Sequence, residues 1–322
     1  MIISDKKTQT NTLGDWAAIA LDKHLKKVIK HEANVLKDKS PEDLHQMRVG
    51  TRRLRSAITG FSPALKLPKA AQEKNVGKIA RILGSLRDLD VLKAALENEY
   101  KPSLPSQEQK SLETALEELN KQRHCVLVTV KETLHSKRYK SLKQSLTKWL
   151  KEPEYQDIAQ MPIAEVLPDL LLPEVSKLLL HPGWLLGSEI KAAEIETVEQ
   201  LLAEDGDVLH SLRKQIKRTR YQMEVFSEFY GEGYAAYLED VKSIQEVLGK
   251  IQDGAVLTDF LKEASDNIKH STPTLANQLS QTSYEAWQQW QNLQHRYLSI
   301  DVKKGFHLAI LEPSWERTSQ LN

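Results

Sequence analysis

Residues 45–61 read HQMRVGTRRLRSAITGF, and residues 210–226 read HSLRKQIKRTRYQMEVF. Wound as an α-helix, at about 100° per residue, the first stretch places His45, Arg48, Arg52 and Arg55 on one face and Met47, Thr51, Leu54, Ile58 and Phe61 on the other. The second keeps that register 165 residues later, with His210, Arg213, Lys217 and Arg220 opposite Leu212, Ile216, Thr219, Met223 and Phe226. Each helix can bury an oily side and still present a cationic stripe. The offset extends past the two stretches: 76–92, VGKIARILGSLRDLDVL, matches 241–257, VKSIQEVLGKIQDGAVL. Self-similarity at a long fixed period marks a repeat architecture, so the sequence predicts two similar helical halves.

The total charge hides these stripes. The chain of 322 residues has a formal net charge of only +1. Each of the two stretches carries +4, which leaves −7 for everything else. Positive charge is therefore concentrated, and its distribution is the informative quantity. Hydrophobic residues at 40% suffice for a core, and 28% charged residues favour solubility. The single cysteine, Cys125, excludes an intramolecular disulfide and fits a reducing compartment. The start, MIISDKKTQT, has no apolar signal-peptide core, and the oiliest stretch, 167–186, is interrupted by Asp169, Pro173, Glu174, Lys177 and Pro182. The expectation is a cytoplasmic protein without a membrane span.

Along the chain no stretch alternates like a strand. Residues 1–14 read as a loose polar tail. A first helix is expected from about 15 to 35. The basic helix follows, with Ser40 as N-cap, Pro41 in the first turn and Asp43 three residues after the cap. Further helices are expected near 69–99, 107–134 and 137–150. Prolines 153, 162, 168, 173 and 182 then suggest a join at about 151–183. The second half, about 184–300, repeats the plan: an entry helix near 187–203, the basic helix from about 207 after an Asp205 or Asp207 cap, and helices near 234–267 and 274–298. Residues 301–322 read as a C-terminal tail. The fold class is all-α: two antiparallel four-helix bundles related by duplication and a pseudo-twofold, with a basic groove between them.

Surface helices ordinarily intersperse Glu with Lys for support one turn away. The Arg48/Arg52/Arg55 and Arg213/Lys217/Arg220 stripes read as lacking such partners, so their mutual repulsion costs stability until an anion arrives. Arginine suits phosphate, because its planar guanidinium donates in pairs and stays charged. From His45 to Arg55 a helix advances about 15 Å, enough for several phosphates. His45 and His210 each have an arginine three residues on, which opposes a bound cation, so no metal is assigned. They are left as phosphate donors or packing residues. Asp88 and Asp90 resemble a carboxylate pair, yet the second copy keeps only Asp253 and has Ala255 in place of the other. Gly84 and Gly249 are expected to allow close helix contact. No P-loop, HExxH, CxxC or nucleophile elbow occurs, and neither catalytic residues nor a cofactor are expected.

The repeated HxxRxxxRxxR pattern, followed by LGxxRDxDVL in one half and LGxxxDxxVL in the other, resembles the CHAD domain, the conserved histidine α-helical domain. The resemblance covers roughly 15–298. It implies two four-helix bundles about a pseudo-twofold, binding of inorganic polyphosphate in a central basic groove, and association with polyphosphate granules. Phosphate contacts then fall on His45, Arg48, Arg52, Arg55, His210, Arg213, Lys217 and Arg220, with Arg53, Arg87, Lys214 and Arg218 as a second tier. CHAD domains often follow a CYTH triphosphatase domain, whose pattern this sequence lacks, so a stand-alone, non-catalytic module is expected. Lys217 replaces Arg52, and Glu246 and Gln252 replace Arg81 and Arg87, which predicts a lopsided groove. The alternative is binding to the phosphate backbone of nucleic acid. Against it, Tyr221 is the one aromatic near the basic face that could stack a base.

Overall fold

The computed structural model describes residues 12–190, 194–264 and 272–314. Among them are ten α-helices: α1 (Leu13–Leu36), α2 (Pro41–Gly60), α3 (Glu73–Ala95), α4 (Ser106–His135), α5 (Lys137–Lys151), α6 (Ile163–Leu179), α7 (Ile195–Phe226), α8 (Glu232–Ala264), α9 (Pro273–Leu298) and α10 (Ile300–Leu311). The described residues form no strand beyond two isolated bridges.

α2 begins where its sequence says it should. The Ser40 hydroxyl accepts the Glu42 N–H at 3.1 Å, and Pro41 occupies the first turn. Asp43 does not complete a capping box. Its carboxylate instead reaches α1, meeting His31 Nδ1 at 2.9 Å and accepting from Asn34 Nδ2 at 3.1 Å. The apolar face of α2 is buried at every expected position, Met47, Thr51, Leu54, Ile58 and Phe61, and so are Leu212, Ile216, Thr219, Met223 and Phe226 of α7. These buried faces fix which way the two cationic stripes look.

Three expectations change. The entry helix and the second basic helix are one continuous 32-residue α7, with no break or cap at Asp205-Gly206-Asp207. Val198, Leu209 and Leu212 are buried on one stripe, and a single helical glycine costs only about 1 kcal/mol, so packing carries the helix through Gly206. The proline-rich join contains α6, with Pro168 and Pro173 inside it. Leu167, Leu171, Val175 and Leu178 on that helix are all 0% exposed. Burial at roughly 1.5–3 kcal/mol per side chain offsets the roughly 3 kcal/mol that each interior proline costs. Residues 301–311 of the expected tail belong to α10, anchored by Phe306 and Ile310, both 0% exposed. Two anchors one turn apart are too few for a period to be read.

The halves are welded rather than linked. One apolar core runs from Leu13 and Phe61 in the first half to Trp290 and Ile310 in the second. A second core joins Leu112 and Leu119 of α4 to Leu257, Phe260 and Leu275. Beside it the buried Glu108 carboxylate of α4 accepts the N–H groups of Thr274 (3.1 Å) and Leu275 (3.2 Å), capping α9 from the other half. A third core, around Met47, Leu83 and Leu134, lies within the first half. The C-terminal ends of α2 and α7 meet, and the Phe61 and Phe226 rings, 165 positions apart, touch edge to face at 5.1 Å. Gly60 permits this approach, since a Cβ there would stand 2.6 Å from Gln222 Oε1.

Asp90 is accounted for by stability. Arg123 of α4 donates to Asp90 at 2.6 Å and, through both terminal nitrogens, to Asp38 at 2.9 and 2.8 Å. The Asp90 side chain is 5% exposed. Arg123 holds the Asp38 carboxyl below the usual range. Removing the guanidinium strands a buried carboxylate, so Arg123→Leu will cost about 3 kcal/mol in chemical denaturation. Arg123→Leu combined with Asp90→Leu should recover part of that loss.

Candidate functional site

α2 and α7 touch through Phe61 and Phe226 and, further back, through Arg52 and Tyr221, and a cleft of about 1450 Å³ lies beside them. Its walls come from α2, α3 and α7, with one residue of α6, the 62–72 segment and 149–156. The first half contributes Arg48, Arg52, Arg55, Lys66 and Arg81, the second Lys214, Lys217 and Arg218, and four carboxylates, Glu73, Asp88, Glu154 and Glu174, also line it. α8 lines none of it, so the cleft is one-sided.

Of the eight principal candidates, Arg48, Arg52, Arg55 and Lys217 line this space, together with second-tier Lys214 and Arg218. His45, His210, Arg213, Arg220, Arg53 and Arg87 do not. Arg213 lies over Gly249 as, 165 positions earlier, Arg48 lies over Gly84. In each case a Cβ on the glycine would meet the arginine at ordinary contact distance, 3.6 and 3.8 Å. These glycines therefore seat arginine side chains rather than a facing helix. Arg53 faces α1, where it, Lys23 and Lys27 reinforce burial in pushing His24 down to about 4.

The stripes are less free of carboxylates than the sequence suggests. Arg55 pairs with Glu73, Arg213 with Asp253 at 3.4 Å and Arg220 with Glu224 at 2.8 Å. Glu224 stands one turn beyond Arg220 on the same helix, the kind of support that the sequence reading took to be absent. Among the described residues Arg48, Arg52, Arg81, Lys214, Lys217 and Arg218 form no ion pair. Lys66 is unpaired as well, so of the eight cations lining the cleft only Arg55 is held in an ion pair.

Burial and like charge act on this group together. Lys217 is pushed down to about 8, first by burial and then by Arg213 and Arg48, against the pull of Asp253 and Asp88. Arg52 donates to the Tyr221 hydroxyl at 3.0 Å, and its guanidinium carbon stands 4.0 Å from the ring centre. Its Nε is buried without a partner. His45 and His210 are both lowered from the ordinary imidazole value, chiefly by burial and further by neighbouring cations. They are mainly neutral at pH 7 and add no charge to the stripe.

Sequence reading missed Lys66 as a lining residue, and it used Arg81 for the asymmetry of the groove without counting it among the contacts. A signal for Arg81 existed: Gly77, Ala80 and Gly84 form a small-residue stripe on α3 that leaves room for the α2 arginines, and Arg81 borders it. Among the described residues no group of three or more His, Cys, Asp or Glu is placed to hold a metal ion. No helix of the described residues is long and apolar enough to cross a membrane.

These features define an all-α protein whose two basic helices converge on a cation-lined cleft. The CHAD domain family matches residues 19–262, and the chain belongs to that family. Its fold is similar to the crystal structure of the CHAD domain from the plant Ricinus communis, at a TM-score of 0.60 and 23% identity over 92% of each chain. It is also similar to PptA from Streptomyces chartreusis, at a TM-score of 0.61 and 15% identity, covering 88% of this chain and 99% of that one. At these identities the likeness is one of fold. No curated protein matches the chain in sequence.

Proposed function

We propose that this chain binds inorganic polyphosphate in the cleft, as a binding module without chemistry of its own. The observation that carries the reading is the approach of Arg48 and Lys217 from different helices, close enough for Arg48 to depress Lys217, with no ion pair at either. Cations held together and partly desolvated cost stability that a bound polyanion returns. Arg48 to Arg55 spans about 10 Å of helix, room for several phosphates in a row. Family membership supports the same ligand.

The nucleic-acid reading is weakened at Tyr221, whose ring already has the Arg52 guanidinium over it, so it offers bases no free stacking platform on that side. A cytoplasmic location and association with polyphosphate granules belong to the same proposal. The test is calorimetric titration with polyphosphate of defined length at about 0.15 M salt, where weak surface attraction is screened, with tRNA as competitor. Tight binding that tRNA does not displace is expected. Weak binding, or equal displacement by tRNA, would leave a generic anion surface and bring nucleic acid forward.

A further inference from the structure

The cleft has two unlike ends. Gly84 sits by Arg48 and Gly77 by Arg55, so α2 and α3 run antiparallel along it. Beyond Arg55 the cations thin out: Arg55 is taken by Glu73, and the lining passes to 62–72 and 149–156, where Lys66 is the single further cation. These two segments are fastened to each other. Lys66 N–H donates to the Glu154 carbonyl at 3.1 Å and Gln156 N–H to the Ala64 carbonyl at 2.9 Å. The Trp149 indole N–H donates to the carbonyls of Lys66 and Glu154 at 3.1 and 3.3 Å. This end is preformed. It is lined by Leu67 and Pro68, the amides of Gln72 and Gln156, the Glu154 carboxylate and the Lys66 ammonium.

A bare phosphate chain gains less here, since the carboxylates of Glu73 and Glu154 outnumber the one unpaired cation, Lys66, and Leu67 and Pro68 cannot replace its water. The cleft, at about 1450 Å³, also exceeds the roughly 300–1,000 Å³ typical of small-molecule sites, so there is room for more than a short phosphate chain. A ligand satisfies both ends when it is polyanionic at one and flat, uncharged and hydrogen-bonding at the other. We infer that the cleft takes nucleoside oligophosphates, with the phosphates against Arg48, Arg52 and Lys217 and the base against Leu67, Glu154 and Gln156. Glu154 can accept from an exocyclic amine, and the Gln156 amide can both donate and accept. The inference rests on the phosphate reading above and adds the class of organic ester to it.

The experiment compares ATP with inorganic tripolyphosphate, in magnesium-free buffer, on the full chain. Both carry three phosphorus atoms, and tripolyphosphate bears the greater negative charge, so a purely electrostatic cleft ranks it first. The expected result is the reverse, with ATP about tenfold tighter. In Glu154→Ala/Gln156→Ala the two ligands should bind alike, through loss of ATP affinity alone, with tripolyphosphate serving as the check on folding. Tripolyphosphate binding as tightly as ATP to the unaltered protein, or an ATP advantage that survives the double substitution, overturns the inference and leaves the polyphosphate reading standing. Failure of ATP, tripolyphosphate and long-chain polyphosphate alike removes both.

Discussion

Arg48→Ala combined with Lys217→Ala will weaken polyphosphate binding about a hundredfold, each unpaired cation contributing about 1–2 kcal/mol of charge-assisted contact. The dependence of affinity on salt should flatten as well, by about 0.7 in the log–log slope for each phosphate contact removed. The control is Lys23→Ala/Arg53→Ala, which removes equal charge from the seam between α1 and α2, where these two residues depress His24. It should change affinity little. Equal losses in the two double variants would mean that net charge binds the polyanion and the cleft does not. Folding offers a second readout with the opposite sign. Lys217 is held near 8 because its charged form is disfavoured in the fold, so Lys217→Met should raise the melting temperature of the free protein at pH 7 while lowering affinity. A residue whose removal stabilises the fold and impairs binding is retained for the ligand.

The sequence made the core legible wherever a helix has one buried face. All ten apolar positions named on the two basic helices are buried, because a 3.6-residue period projects directly onto one side of a helix. It was least legible where tertiary burial outweighs local preference, as in α6 with Pro168 and Pro173 and in α7 through Gly206. No local rule can weigh two prolines against four side chains whose burial depends on distant partners. The site was legible as a list of cations and illegible as a geometry. Arg48, Arg52, Arg55 and Lys217 converge, but Arg213 lies beside Asp253 and Arg220 beside Glu224. Which stripe member faces the cleft is set by how α2 and α7 cross near Phe61 and Phe226, a consequence of packing between halves that a repeat analysis treats as equivalent. The one-sidedness was foreshadowed by Arg81, which has Glu246 at the matching position 165 residues on.

Polyphosphate affinity will fall as pH rises from 7 to 9.5, and binding above pH 8 will take up a proton. The sign follows from Lys217. Its value in the free fold is about 8, against an ordinary lysine at 10.5, so between those limits the unfolded chain holds a proton that the native chain has lost. Stability contributed by this group therefore rises with pH across that window, and its penalty is present in full below pH 8. A bound polyanion reverses the balance, since negative charge beside the ammonium restores its proton. If the bound value returns to the ordinary one, affinity falls about thirtyfold between pH 7 and 9.5, the limit for one linked proton. Histidine titration does not contribute, because His45 and His210 are both depressed and already neutral in this range. The charged groups that act on Lys217 are Arg48 and Arg213, which lower it, and Asp88 and Asp253, which raise it. Calorimetry in buffers of different ionisation enthalpy measures the proton uptake directly. Lys217→Arg should abolish both the uptake and the pH dependence while keeping affinity at pH 7, because a guanidinium stays charged where the ammonium does not. A pH profile unchanged by that substitution would place the proton elsewhere and remove Lys217 from the phosphate contacts.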